Sequence, residues 1–138
     1  IMIFERQEDL DREEKAIKKF VSLFSGTYKK LTQFDLDFEI FLDGKFICFA
    51  EVKGRKGRYM DTSYPLPIAV KKLVKIQEKR SNCVLIWSCI DGIVYGKYRK
   101  LKGVITFGGM ITPREGSTND RELMAYYDKQ EELKTLKY

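Results

Sequence analysis

The sequence predicts an α/β fold on three observations: an apolar stripe at helical spacing near the start, a strictly alternating pair of segments at residues 34–53, and a nearly continuous apolar run at residues 83–90. They give the order helix, hairpin, helix, hairpin, short strand, helix. At 138 residues the chain suits one domain, residues 1–138, with one core.

The first helix spans residues 7–24, with Leu10, Ile17, Phe20, Val21 and Phe24 on one stripe and Gly26 ending it. In the hairpin, Phe34, Leu36, Phe38, Ile40 and Leu42 alternate with Asp35, Asp37, Glu39 and Phe41. Asp43-Gly44 signals a turn, and residues 46–53 return. Residues 54–58 form a basic, glycine-bearing loop. Residues 64–67 lead into a second helix, with Pro67 in its first turn and Val70, Leu73, Val74 and Gln77 on one side as far as Arg80. The run 83–90 reads as a buried strand, Asp91-Gly92 as a turn, 93–98 as its partner and 104–107 as a further short strand. Gly108-Gly109 and residues 112–118 read as loop. The run Asn119-Asp120-Arg121-Glu122 resembles a capping box and predicts a last helix reaching Leu136.

Histidine is absent. That excludes Ser-His-Asp and Cys-His catalysis and every His-ligated metal site, and leaves carboxylates, lysines and a bound cation as acid–base tools. The cysteines Cys48, Cys83 and Cys89 lie in apolar strand-like runs without the tight spacing of structural zinc sites. They read as reduced core residues of an intracellular, cytoplasmic protein. The opening Ile1, Met2, Ile3, Phe4 does not read as a signal peptide, and no apolar run is long enough to predict a membrane partner. The net charge of +6 favours a polyanionic partner.

Register decides what the hairpin carries. A plain two-residue turn at Asp43-Gly44 would put Glu51 and Lys53 on the face of Leu36 and Phe38. An odd-numbered loop, with Gly44 left-handed and a bulge beside it, puts all the even positions on one apolar face and avoids burying two charges. On that register Asp35, Asp37, Glu39, Glu51 and Lys53 share one side of two adjacent strands. Crowded carboxylates repel, and a hard divalent cation relieves the repulsion. Phe41, Ile47 and Phe49 share the face, which gives it a covered end and a wet border. The simpler reading is a solvated face of an amphipathic hairpin, as in a small interaction domain with an acidic surface.

Asp37 followed by Glu51-Val52-Lys53, on a hairpin between two helices, resembles the Asp…(Glu/Asp)-x-Lys signature of the PD-(D/E)XK nuclease superfamily over residues 8–98. Leu36 stands where the literal motif has Pro. The resemblance implies a restriction-endonuclease-like core, a central mixed β-sheet flanked by helices of αβββαβ type. It also implies a Mg²⁺- or Mn²⁺-dependent hydrolase of DNA phosphodiester bonds, with RNA left open as a substrate, in a bacterial or phage-like setting. Asp37 and Glu51 would ligate the ion with the Val52 backbone carbonyl. Lys53 would orient the attacking water and stabilise charge on the phosphate. Asp35 fits the family spacing less well than Asp37. Members often add a Glu from the first helix; Glu13 and Glu14 are the candidates, with Glu14 preferred, and a solvated helix edge is the ordinary reading of either. The alternative to an enzyme is a catalytically inactive nuclease-like domain that binds nucleic acid.

Arg55, Lys56 and Arg58 follow the motif directly and are the candidates for phosphate contact. Tyr59 could stack on an unpaired base, and Lys72 on the second helix could reach the cleft, although solvated charge is the default for that helix. Arg114, in the loop 112–118, is a further candidate for substrate contact. A homodimer would be one way to cut two strands, but no dimer face is legible.

Overall fold

The structure is a computed structural model describing residues 7–32, 35–61, 64–109 and 121–138. Helix α1 (Gln7–Val21) is followed by strands β1 (Thr27–Lys30), β2 (Phe38–Leu42), β3 (Lys45–Gly54) and β4 (Leu66–Ala69). Helix α2 (Val70–Lys79) and strands β5 (Cys83–Ser88) and β6 (Gly92–Lys97) come next, then a short 3-10 turn (Tyr98–Lys100). Strands β7 (Val104–Gly109), β8 (Arg121–Tyr127) and β9 (Lys134–Lys137) complete the chain. Six strands form the main sheet in the order β1-β2-β3-β5-β6-β9, and β4-β8-β7 form a small second sheet. In the main sheet β3 and β5 are parallel and the other neighbours antiparallel. The central mixed sheet flanked by helices agrees with the fold that the resemblance implies.

Each face of the main sheet has its own core. On one face Ala16, Ile17 and Val21 of α1 pack on Phe38, Ile40, Ala50, Val52, Val84, Ile86 and Ile93. On the other, Leu73 and Ile76 of α2 and Leu66, Ile68, Ala125 and Tyr127 of the small sheet cover Phe49, Leu85, Trp87 and Val94. All six residues of β5 are buried, as its unbroken apolar run requires when both faces are covered. No described helix is long and apolar enough to cross a membrane.

The hairpin reaches its register by a different route from the one expected. Leu42 pairs with Lys45, so the turn has two residues, and Asp43 (φ 52) and Gly44 (φ 77) both have positive φ. That is the twist-matched hairpin turn. The odd residue enters later: Phe41 pairs with Phe46 but Ile40 pairs with Cys48, so Ile47 is a bulge. Below the bulge Phe38 faces Ala50, and Phe38, Ile40, Ala50 and Val52 share the α1 face. Leu36, ahead of the start of β2 and free of its alternation, packs instead in the α2-side core, against the expectation that all the even positions lie on one face. Above it Phe46 joins the opposite face, where its ring meets those of Phe41 and Phe49. A side chain at Gly44 would meet nothing within 4 Å, so only conformation constrains it. Gly44→Ala is expected to cost about 1–2 kcal/mol, read as a lower denaturant midpoint with unchanged slope.

Other sequence expectations are corrected. Residues 121–127 and 134–137 are strands, not a C-terminal helix. Ala125 and Tyr127 are buried and Leu123 half-exposed, and β8 pairs with both β4 and β7. Asn119, Asp120 and the loop 112–118 with Arg114 lie outside the described residues. Pro67 is in β4, at the edge of the small sheet, where its missing N–H is tolerated. Helix α2 buries Leu73 and Ile76 while Val74 is exposed, so its inner face is rotated from the expected stripe. Strand β1, which sequence reading missed, is a polar edge strand bearing Lys29 and Lys30.

Candidate active site

The register puts the two acidic residues together. Phe38 is the first residue of β2 and pairs with Ala50. One step further back, Asp37 falls opposite Glu51 just past the end of the strand. There β2 no longer supplies a partner for the edge of β3, and the Asp37 carboxylate does so: Oδ2 accepts the Val52 N–H at 2.7 Å. The Asp37 carbonyl accepts the Leu31 N–H at 2.9 Å, which ties the segment to the end of β1. A strand residue presents its N–H and C=O to the same edge, so the Val52 carbonyl also faces the Asp37 side.

Glu51 is 4% exposed. Its Oε1 lies 3.4 Å from Lys72 Nζ, and its Oε2 is buried without a hydrogen-bond partner among the described residues. Burial, then the negative charge of Asp37, pushes its pKa up to about 8, against the pull of the Lys72 ammonium. A buried carboxylate oxygen without a donor is costly, and such groups in native proteins call for a functional account. Two carboxylates and an orphaned oxygen form a hard, oxygen-only donor set. Among the described residues no three His, Cys, Asp or Glu side chains gather. The two carboxylates do not make a closed protein cage; they could hold a hard cation only if it kept most of its water.

The remaining candidates divide. Lys53 lies on β3 two residues beyond Glu51, on the same face, level with Trp87 of β5. It is exposed and makes no ion pair among the described residues. Asp35 is drawn instead to α2: Lys79 Nζ lies 3.1 Å from its Oδ2. Burial works to raise its pKa, but the Leu36 N–H and the Lys79 and Lys75 ammoniums outweigh it and lower it. Glu39 pairs across the ladder with Phe49.

Glu14 is not brought to the pair. It is exposed on the outside of α1, 3.0 Å from Lys18 Nζ, and accepts a hydrogen bond from the Tyr28 hydroxyl. The Lys18 hydrogen bond and charge lower its pKa. Glu13 is the residue that approaches the site. Lys30 Nζ lies 2.9 Å from Glu13 Oε2 and 3.6 Å from Asp37 Oδ1, bridging the two. Helical phase carries this signal: Glu13 is four residues before buried Ile17, whereas Glu14 is four before exposed Lys18.

The basic loop is anchored where β3 ends. Arg55 N–H donates to the Ser88 carbonyl, Ile90 N–H to that of Gly57, and Tyr59 N–H to Asp91 Oδ1. Lys56 and Arg58 are exposed and Arg55 half-buried. Tyr59 is partly buried against the α2-side core, where burial leaves less of its ring for stacking. Arg12, which sequence reading missed, sets its guanidinium against Gly54 at the head of this loop while paired with Asp9.

A mixed sheet with Asp37 at the end of one strand and Glu51-x-Lys53 on its neighbour, between two helices, has the layout of the PD-(D/E)XK nuclease class. The family described as "Phage putative PDDEXK endonuclease" matches residues 2–134. The chain belongs to that family, and nuclease is the class of activity the membership supports. No curated protein and no solved structure matches it.

Proposed function

We propose that the chain is a Mg²⁺- or Mn²⁺-dependent nuclease that hydrolyses DNA phosphodiester bonds at a site built by Asp37, Glu51 and Lys53. The observation that carries this reading is the buried Glu51 Oε2, without a hydrogen-bond partner among the described residues, on a carboxylate that feels the charge of Asp37. Asp37 and Glu51, with the Val52 carbonyl, would hold the ion, which would supply Lewis-acid charge to the scissile phosphate.

The chain's own groups do the rest. The Val52 N–H holds Asp37 Oδ2, so one carboxylate oxygen is committed to the backbone; the other, 3.6 Å from Lys30 Nζ, would turn from that ammonium to the ion. Lys53, which makes no ion pair among the described residues, can hold the attacking water or neutralise charge growing on the phosphate. Arg55, Lys56 and Arg58 hold the flanking phosphates, contacts that position the strand without reading its sequence. Lys72 is reassigned by its place beside Glu51 from strand contact to the acidic pair. Glu13 takes the place expected of Glu14, acting on Asp37 through Lys30.

The test is cleavage of single-stranded, duplex and branched DNA with Mg²⁺ or Mn²⁺ by wild type and Lys53→Ala. The variant is expected to lose roughly a hundredfold or more of the rate while Mn²⁺ still raises its melting temperature, because Lys53 is not an ion ligand. Full cleavage by Lys53→Ala would refute its role. Tight DNA binding without turnover under either ion would favour an inactive binding domain.

A further inference from the structure

Lys72 bears on the same acidic pair. It is on the inner side of α2, next in sequence to buried Leu73 and one helical turn before buried Ile76. Its ammonium is 3.4 Å from Glu51 Oε1 and 3.4 Å from the Asp35 carbonyl oxygen, and its side chain is 24% exposed. It is a cation delivered to Glu51 from a separate element, on the oxygen next to the orphaned one. It is also distinct from Lys53, which sits on the strand and makes no ion pair among the described residues.

We infer that Lys72 is a tethered counter-ion that competes with the divalent ion for Glu51. The inference rests on the reading of Asp37 and Glu51 as an ion site. When both groups are ionised, the ammonium offsets part of the repulsion between two carboxylates held close in a poorly solvated place. An arriving dication meets that ammonium within a few ångströms and must displace it. The lysine stem is long and flexible and the side chain is partly exposed, so Nζ can swing outward to a substrate phosphate. Lys72 is a positioning residue on this account, and its effect on ion affinity has a definite sign. Removing the ammonium strengthens the hold on a dication about twice as much as the hold on a proton, because Coulomb energy scales with charge. Tighter ion binding therefore survives the accompanying rise in the proton affinity of Glu51.

The experiment is calorimetric titration of the full chain with Mn²⁺ alone, for wild type, Lys72→Gln, Lys72→Met and Glu51→Gln, with a thermal melt of each to confirm folding. The two Lys72 variants are expected to bind Mn²⁺ about tenfold more tightly than wild type, a coupling of ordinary size between adjacent sites. A lysine that merely propped the fold would weaken binding when removed. Equal or weaker Mn²⁺ binding by both folded Lys72 variants, with wild-type binding that Glu51→Gln abolishes, overturns this inference alone. Absence of Mn²⁺ binding in every protein, or binding that Glu51→Gln leaves unchanged, overturns the ion-site reading and the inference with it.

Discussion

Glu51→Gln is expected to cut DNA cleavage by roughly a thousandfold and at the same time to stabilise the ion-free protein. The activity loss follows from removing one of the two carboxylates proposed to hold the ion. The stability gain follows from its surroundings. Glu51 has an ordinary pKa of 4.5 and is pushed up to about 8 in the folded chain by burial and by Asp37. A carboxyl whose pKa is raised on folding holds its proton more tightly in the folded state. Its favourable contribution is complete below about pH 4.5 and is lost as the pH rises through about 8. The neutral amide has no charge to bury and escapes this loss. The stability of wild type relative to Glu51→Gln should therefore fall steadily from pH 5 to pH 8. Above pH 8 the variant should be the more stable. Denaturant melts of both proteins across this range, without divalent ions, make the measurement. A constant difference between the two would remove the buried-charge account of Glu51. Sites that bind charged ligands commonly trade stability for function in this way.

Trp87→Ala is expected to destabilise the chain by about 3–5 kcal/mol, a large share of the stability of an ordinary domain. Trp87 is fully buried in β5. Its ring meets Tyr127 of β8 edge-on at 5.9 Å between centroids, and its Nε1–H donates to the Pro67 carbonyl of β4 at 2.9 Å. One side chain thus joins the main sheet to the small sheet. Truncation leaves a cavity and an unpaired carbonyl together. Trp87→Phe keeps most of the volume and should cost clearly less. A shift of under about 1 kcal/mol for Trp87→Ala, measured by denaturant unfolding, would mean that the small sheet docks by other contacts.

Much of the site was legible in the hairpin, because alternation has a period of two and burial forbids the wrong phase. That argument put Asp37 and Glu51 on one face without knowing how the turn was made. It could not find Ile47, since a bulge leaves no mark in an apolar run: Phe46, Ile47, Cys48 and Phe49 read the same with or without it. Lys72 was visible only as one lysine among several on α2. Assigning it to the site needed the helix phase, and the phase was read from Val70 and Val74 when Ile76 carries it. The C-terminal helix was predicted from four residues resembling a cap, against a period-two pattern in Leu123, Ala125 and Tyr127 that pointed to a strand. Local capping chemistry is weaker than periodicity as a guide to the element that follows it. Strand β1 carries Tyr28 as its only large apolar residue, so hydrophobic pattern has nothing to detect there. Its Lys30, the bridge from Glu13 to Asp37, was hidden with it.

The central claim is that carboxylates from the end of β2 and from β3 converge on one divalent ion. Anomalous diffraction from Mn²⁺-soaked crystals of the chain with an uncleavable oligonucleotide tests it most directly. The account places a Mn²⁺ peak between the Asp37 and Glu51 carboxylates, touching Glu51 Oε2, with a phosphate oxygen on its open side. A peak ligated by other residues, or full Mn²⁺ occupancy elsewhere while Glu51 Oε2 is still without a partner, would contradict it.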